Sequence, residues 1–133
     1  MDIGTIDTLI LCGGKGTRLK HIIAGKSKIL AEINGLPFMK YLFDYLEQQG
    51  MRRIILCTGY MHAQIEEWVI SSYRGNMQVL FSRENKQLGT AGAIKNAQNL
   101  IISESFIVVN GDTLTNVSLQ NFIKYFYKKK AVC

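Results

Sequence analysis

Four short apolar runs punctuate the chain: "TLILCG" (8–13), "RIILCTG" (53–59), "MQVLFS" (77–82) and "FIVVNGD" (106–112). None alternates strictly between apolar and polar, so they predict strands buried on both faces. Amphipathic stretches lie between them. Pro37 is placed to open a helix as its first residue, and Phe38, Met39, Leu42, Tyr45, Leu46 and Gln49 follow at helical spacing. Gly50 suits the C-terminal cap of that helix. Met61, Ile65, Trp68 and Val69 mark a second helix, and Ala93, Ile94, Ala97, Leu100 and Ile101 a third. Ser118 is positioned to cap a fourth, with Leu119, Phe122, Ile123 and Phe126 on one face.

Strand and helix alternate, which predicts an α/β protein with a mostly parallel, Rossmann-like sheet covered on both faces. Ligands of such sheets bind beyond the carboxyl ends of the strands. Gly13-Gly14 and Gly111-Asp112 end two of the predicted strands and are expected on that side. No internal repeat, low-complexity segment or linker divides residues 1–133, so one domain is expected.

Composition narrows the classes. The chain of 133 residues is 47% hydrophobic, enough for one domain with a real core. No apolar segment approaches membrane-spanning length, and Asp2 and Asp7 flank the first apolar residues, unlike a signal peptide. A cytoplasmic protein without a membrane partner is expected. Cys12, Cys57 and Cys133 are odd in number and widely spaced, which argues against a disulfide framework or zinc site. The net charge is +6. Lys128, Lys129 and Lys130 account for part of it as a solvated tail; the rest suits a polyanionic ligand. No nucleic-acid partner is expected, since no stripe of aromatic and basic residues accompanies the charge.

The glycine-rich turn "GGKGTRL" is the first candidate site. Gly13, Gly14 and Gly16 let the backbone adopt positive φ and approach a ligand closely. Successive N–H groups in such a turn form an anion-binding concavity, to which Lys15, Arg18 and Lys28 would add charge. Taken alone, the turn is equally a tight connection with solvated cations. A P-loop is excluded because no Gly-Lys-Ser/Thr follows at the right spacing, and a dinucleotide fingerprint because position 19 is Leu.

Four motifs in order resemble those of the sugar-1-phosphate nucleotidyltransferase family. They are "GGKGTRL" with Lys28 ten residues after Arg18, "ILAEI" followed by "NGLPF", "QLGTAGAIKNA", and "VVNGDT". Within the family the chain is most similar to guanylyltransferases acting on sugar 1-phosphates, the bacterial D-glycero-D-manno-heptose 1-phosphate enzymes among them. One departure stands in the lysine loop. The family commonly has Pro-Lys-Pro where this chain has Ser27-Lys28-Ile29, and the stiffening that proline supplies is absent.

The resemblance implies a nucleotide-diphospho-sugar transferase-like fold, a three-layer sandwich. It implies a reaction in which a nucleoside triphosphate and a sugar 1-phosphate give a nucleotide sugar and pyrophosphate, as in surface-polysaccharide synthesis. Arg18 would hold the β- and γ-phosphates and Lys28 the α-phosphate. Leu11, Gly13, Gly14, Lys15, Gly16, Thr17, Gly89 and Thr90 would bind the nucleotide, and Asp112 would ligate Mg²⁺. Glu84 would accept from the adjacent N1–H and N2–H₂ donors of guanine, which favours GTP; a solvated carboxylate beside Arg83 and Lys86 is the alternative. For Asp112 the alternative is a turn or capping aspartate. No histidine is required as base, because the attacking phosphate oxygen is already ionised.

Family members are substantially longer, and their second half supplies the sugar pocket and a further metal-binding aspartate. Here no carboxylate follows Asp112. The expectation is therefore a truncated, nucleotide-binding portion. It would be completed by a C-terminal polypeptide or by homo-oligomerisation, or would act as a catalytically incomplete nucleotide-binding or interaction module.

Overall fold

A computed structural model describes residues 2–14 and 25–133. The elements run β1 (Asp7–Leu11), β2 (Glu32–Ile33), β3 (Leu36–Pro37), α1 (Phe38–Gln48), β4 (Arg53–Thr58), α2 (His62–Ser72), β5 (Gln78–Arg83), α3 (Gly89–Asn96), β6 (Phe106–Asn110) and α4 (Leu119–Lys128). The main sheet has the order β5-β4-β1-β6, and each of its pairings is parallel. All four apolar runs are its strands.

The sheet separates two helical layers. Ile10, Ile54 and Leu56 face Met39, Leu42, Phe43 and Leu46 of α1, Ile65 of α2, and Leu119 and Ile123 of α4. Phe43 meets Trp68 and Tyr73 edge-on, at centroid distances of 5.7 and 5.1 Å, which locks α1 against α2. On the opposite face Leu9, Ile55 and Cys57 pack on Ala93 of α3 and on Ala97, which caps it. The small side chains of α3 let it lie close to the sheet. This is the three-layer α/β architecture that the alternation predicts.

Local chemistry explains the element ends. Helix α1 closes in a Schellman motif: Met51 N–H donates to the Leu46 carbonyl, Gly50 N–H to the Glu47 carbonyl, and Gly50 sits at φ 89°. The Ser118 hydroxyl accepts from Asn121 N–H and caps α4 as expected. Pro37 is the N-cap rather than the first helical residue, because it ends β3. The third predicted helix stops early: α3 ends at Asn96, and a 3-10 turn over Gln98–Leu100 completes it. The β2–β3 hairpin was unexpected. It turns on Asn34 and Gly35, both at positive φ (51° and 80°), as a two-residue type I′ turn requires. The prediction that every strand is covered on both faces fails at β6. That strand is the sheet edge, and Phe106 and Val108 are exposed on the α3 side.

Candidate functional site

The carboxyl ends of the four parallel strands open on one side of the sheet, and the described motif residues gather there. Leu11, Gly13 and Gly14 follow from β1. Glu84 follows β5, with its N–H held by the Thr58 carbonyl at 2.7 Å. Gly89 and Thr90 start α3. With Cys57, Gln87 and Ala93 they line one cavity of about 190 Å³. That is below the roughly 300–1,000 Å³ of a pocket for a whole drug-sized ligand, so it has room for only a part of one.

Two glycines make room for Glu84. A Cβ on Gly13 would lie 3.2 Å from the Glu84 carboxylate, and one on Gly59 would lie 3.5 Å from it and 3.2 Å from the Gly13 carbonyl. A side chain at Gly13 would press on the acid, and one at Gly59 on the Gly13 carbonyl. Among the described residues Glu84 takes part in no side-chain hydrogen bond and no ion pair; the Arg83 guanidinium instead grips Glu66. Asn96 fixes the strand end beneath, donating to the Ser82 hydroxyl (3.0 Å) and the Arg83 carbonyl (2.9 Å). Gly89 stands at φ 72°, a conformation that favours glycine.

Cys57, on the floor of the cavity, is chemically quiet. Burial and then the Glu84 charge push its thiol up to about 11. Burial likewise raises the Cys12 thiol, with Cys57 and Glu84 adding to it. Both act as small core groups.

The second half of the site joins positions 84 residues apart. Lys28 Nζ donates to Asp112 Oδ2 at 2.5 Å, and both side chains are partly exposed. The Lys28 hydrogen bond, opposed by burial and aided by its charge, lowers the Asp112 carboxyl below its ordinary range. The pairing depends on Gly111, whose N–H donates to the Leu11 carbonyl at 2.9 Å and so seats the end of β6 against β1. Among the described residues no three His, Cys, Asp or Glu side chains assemble into a metal cage. A lone carboxylate such as Asp112 can still serve Mg²⁺, which takes one or two carboxylates and completes its shell with oxygens of other ligands and water.

Lys15, Gly16, Thr17 and Arg18 lie outside the described residues, so the cationic end of the glycine motif is known here only as sequence. Sequence reasoning missed Gly59 and Cys57. The signal for Gly59 was available: the apolar run 53–59 ends in glycine as the runs at Gly13 and Gly111 do.

The nucleotidyl transferase family model matches residues 7–133. The chain belongs to the nucleotidyl transferase family. It is 38% identical over 126 residues to the D-glycero-alpha-D-manno-heptose 1-phosphate guanylyltransferase of Aneurinibacillus thermoaerophilus, covering 95% of this chain and 54% of that protein. It is 40% identical over 114 residues to the Campylobacter jejuni protein of the same name, covering 86% and 51%. Among solved structures, HddC from Yersinia pseudotuberculosis complexed with GMP-PN superposes with a TM-score of 0.84 at 44% identity, over 91% of this chain and 54% of that one. The chain thus spans about half the length of these relatives. No helix among the described residues is long and apolar enough to cross a membrane.

Proposed function

We propose that residues 1–133 are the nucleotide-binding portion of a cytoplasmic sugar-1-phosphate guanylyltransferase, with heptose 1-phosphate or mannose 1-phosphate as acceptor. The observation that carries the reading is the base-sized cavity in which the Glu84 carboxylate has no described side-chain partner. A carboxylate there accepts from the paired N1–H and N2–H₂ donors of guanine; uracil and cytosine present no such pair. The glycine turn would hold the phosphates on backbone N–H groups.

In this reading Arg18 and Lys15 neutralise the β- and γ-phosphates, and Lys28 neutralises the α-phosphate during transfer. Catalysis rests on alignment and charge neutralisation, as phosphoryl and nucleotidyl transfers generally do. Asp112 would hold Mg²⁺, which supplies further neutralisation of the triphosphate when bound. A second polypeptide, or a second copy of this chain, would provide the acceptor site.

Calorimetry with GTP, ATP, CTP and dTTP in the presence of Mg²⁺ tests the base assignment. GTP is expected to bind tightest, and Glu84→Gln to erase its advantage over ATP. Equal or tighter binding of the pyrimidine nucleotides refutes the guanine reading.

A further inference from the structure

Lys28 lies in a loop that has no proline to stiffen it, since Pro37 is the only proline in the chain. A lysine that must meet a phosphate at one position needs its backbone held some other way. Gln64, projecting from α2, provides the hold. Its Oε1 accepts from Ser27 N–H at 2.8 Å, and its Nε2 donates to the Gly25 carbonyl at 2.7 Å. One planar amide therefore fixes a donor and an acceptor on either side of Lys26. The two partners also dictate its orientation, because the carbonyl needs a donor and the N–H an acceptor.

The next residues continue the restraint. Ser27 is only 5% exposed and Ile29 only 3%. A 3-10 turn follows, in which Leu30 N–H donates to the Ser27 carbonyl and Ala31 N–H to the Lys28 carbonyl, at 2.9 and 3.1 Å. Lys28 is thus suspended between two buried neighbours, with its ammonium drawn to Asp112. The only link from this loop to α2 that a hydrogen bond supplies, among the described residues, is Gln64.

We infer that Gln64 is a positioning residue for Lys28, serving through two backbone hydrogen bonds the purpose that a rigid ring would serve. The inference rests on the reading of Lys28 as a phosphate-binding residue. It has a specific corollary. Ser27 sits at φ −63° and ψ 139°, values that proline adopts without strain. Proline at position 27 would fix φ by itself and leave no N–H in need of Gln64.

The test is GTP affinity by calorimetry, with Mg²⁺, for five chains: wild type, Lys28→Ala, Gln64→Met, Lys28→Ala with Gln64→Met, and Gln64→Met with Ser27→Pro. Methionine is close to glutamine in shape and in helix propensity, and Gln64→Ala replaces it if the methionine variant fails to fold. Gln64→Met is expected to weaken GTP binding about threefold to tenfold, the range that one or two side-chain hydrogen bonds allow. It should cause no further loss in the Lys28→Ala background, because both changes remove one interaction. Ser27→Pro should restore most of the binding that Gln64→Met loses.

Additive losses overturn the inference, as does a loss from Lys28→Ala with none from Gln64→Met. Failure of proline to restore binding in a chain of normal melting temperature also overturns it. Those results leave the nucleotide-binding reading standing. Unchanged GTP affinity in Lys28→Ala removes the phosphate role of Lys28 and the inference together.

Discussion

Gly111 sits where three groups converge. A Cβ there would lie 2.9 Å from the Leu11 carbonyl oxygen, 3.0 Å from Ile29 Cδ1 and 3.1 Å from Cys12 Cβ. The carbonyl and Cys12 Cβ are tied to the central strand and cannot yield, so Gly111→Ala must push the end of β6 away, and Asp112 with it. Overpacking of this kind costs about 1–3 kcal/mol. The variant should melt several degrees lower and lose GTP affinity, whereas Gly14→Ala, which meets nothing within 4 Å in the described structure, should melt as wild type does. Equal melting of Gly111→Ala and wild type would refute the argument. At the other end of β1 the buried Asp7 accepts from Ile102 N–H (2.7 Å), from Ser103 N–H (2.9 Å) and hydroxyl (3.0 Å), and from Arg53. Burial pushes this carboxyl up, but those donors outweigh it and hold the group below its ordinary value. A depressed folded-state pKa contributes stability above the unfolded value near 3.9, lost as pH falls through the folded value. Asp7→Ala removes the one carboxylate described beside Arg53, whose remaining partners are the neutral Leu100 carbonyl and Gln78, and should cost about 3–5 kcal/mol at pH 7. The gap to wild type should shrink toward pH 2 in urea melts, and a pH-independent gap would show that the charge is not the cause. The sequence disclosed the residues that one motif carries together, such as Gly13 and Gly14. It did not disclose Lys28 against Asp112, or Gln64 against Ser27, because contacts across 84 and 37 positions are decided by which strand ends become neighbours.

At the scale of elements, the apolar runs were legible because strands buried in a parallel sheet must be apolar on both faces. β6 breaks that equivalence. "FIVVN" reads as a buried strand, yet it is an edge with Phe106 40% and Val108 37% exposed, beside Phe122 of α4 at 54%. Hydrophobicity reports what a strand can bury, not whether a neighbour arrives to bury it. The β2–β3 hairpin was missed for a different reason. Its Asn-Gly turn is a strong signal, but two residues per strand are too few to show a period. β6 pairs only with β1 among the described residues, so its outer edge offers unpaired backbone groups beside apolar side chains, a combination that invites another chain. Self-association is therefore expected at high concentration, and Val108→Lys should reduce it with little change in melting temperature. Light scattering that shows a monodisperse monomer for the wild-type chain would refute this.

For the whole molecule, the location of the site followed from topology. Strand–helix alternation implies parallel strands, and parallel strands bring their carboxyl ends, with the glycines that follow them, to one side. The same logic bears on turnover. On the proposed reading the cavity beside Glu84 takes the base, and Lys28 and Asp112 stand where the phosphates would lie. The chain spans only about half the length of each of these relatives, and the acceptor sugar phosphate is expected to bind in the other half. Without a bound acceptor the reaction forfeits alignment of its two substrates, which contributes about 7–11 kcal/mol in well-oriented cases. At about 1.4 kcal/mol per tenfold in rate, losing even half of that slows the reaction by about three hundredfold or more. The 133-residue chain assayed alone is therefore expected to bind GTP yet release little or no pyrophosphate with mannose 1-phosphate or heptose 1-phosphate. Adding a polypeptide equivalent to the other half of a relative should restore turnover, and Asp112→Ala should abolish what is restored. Robust turnover by the chain alone, lost in Asp112→Ala, would refute this and would mean that these residues, as monomer or assembly, already build the acceptor site.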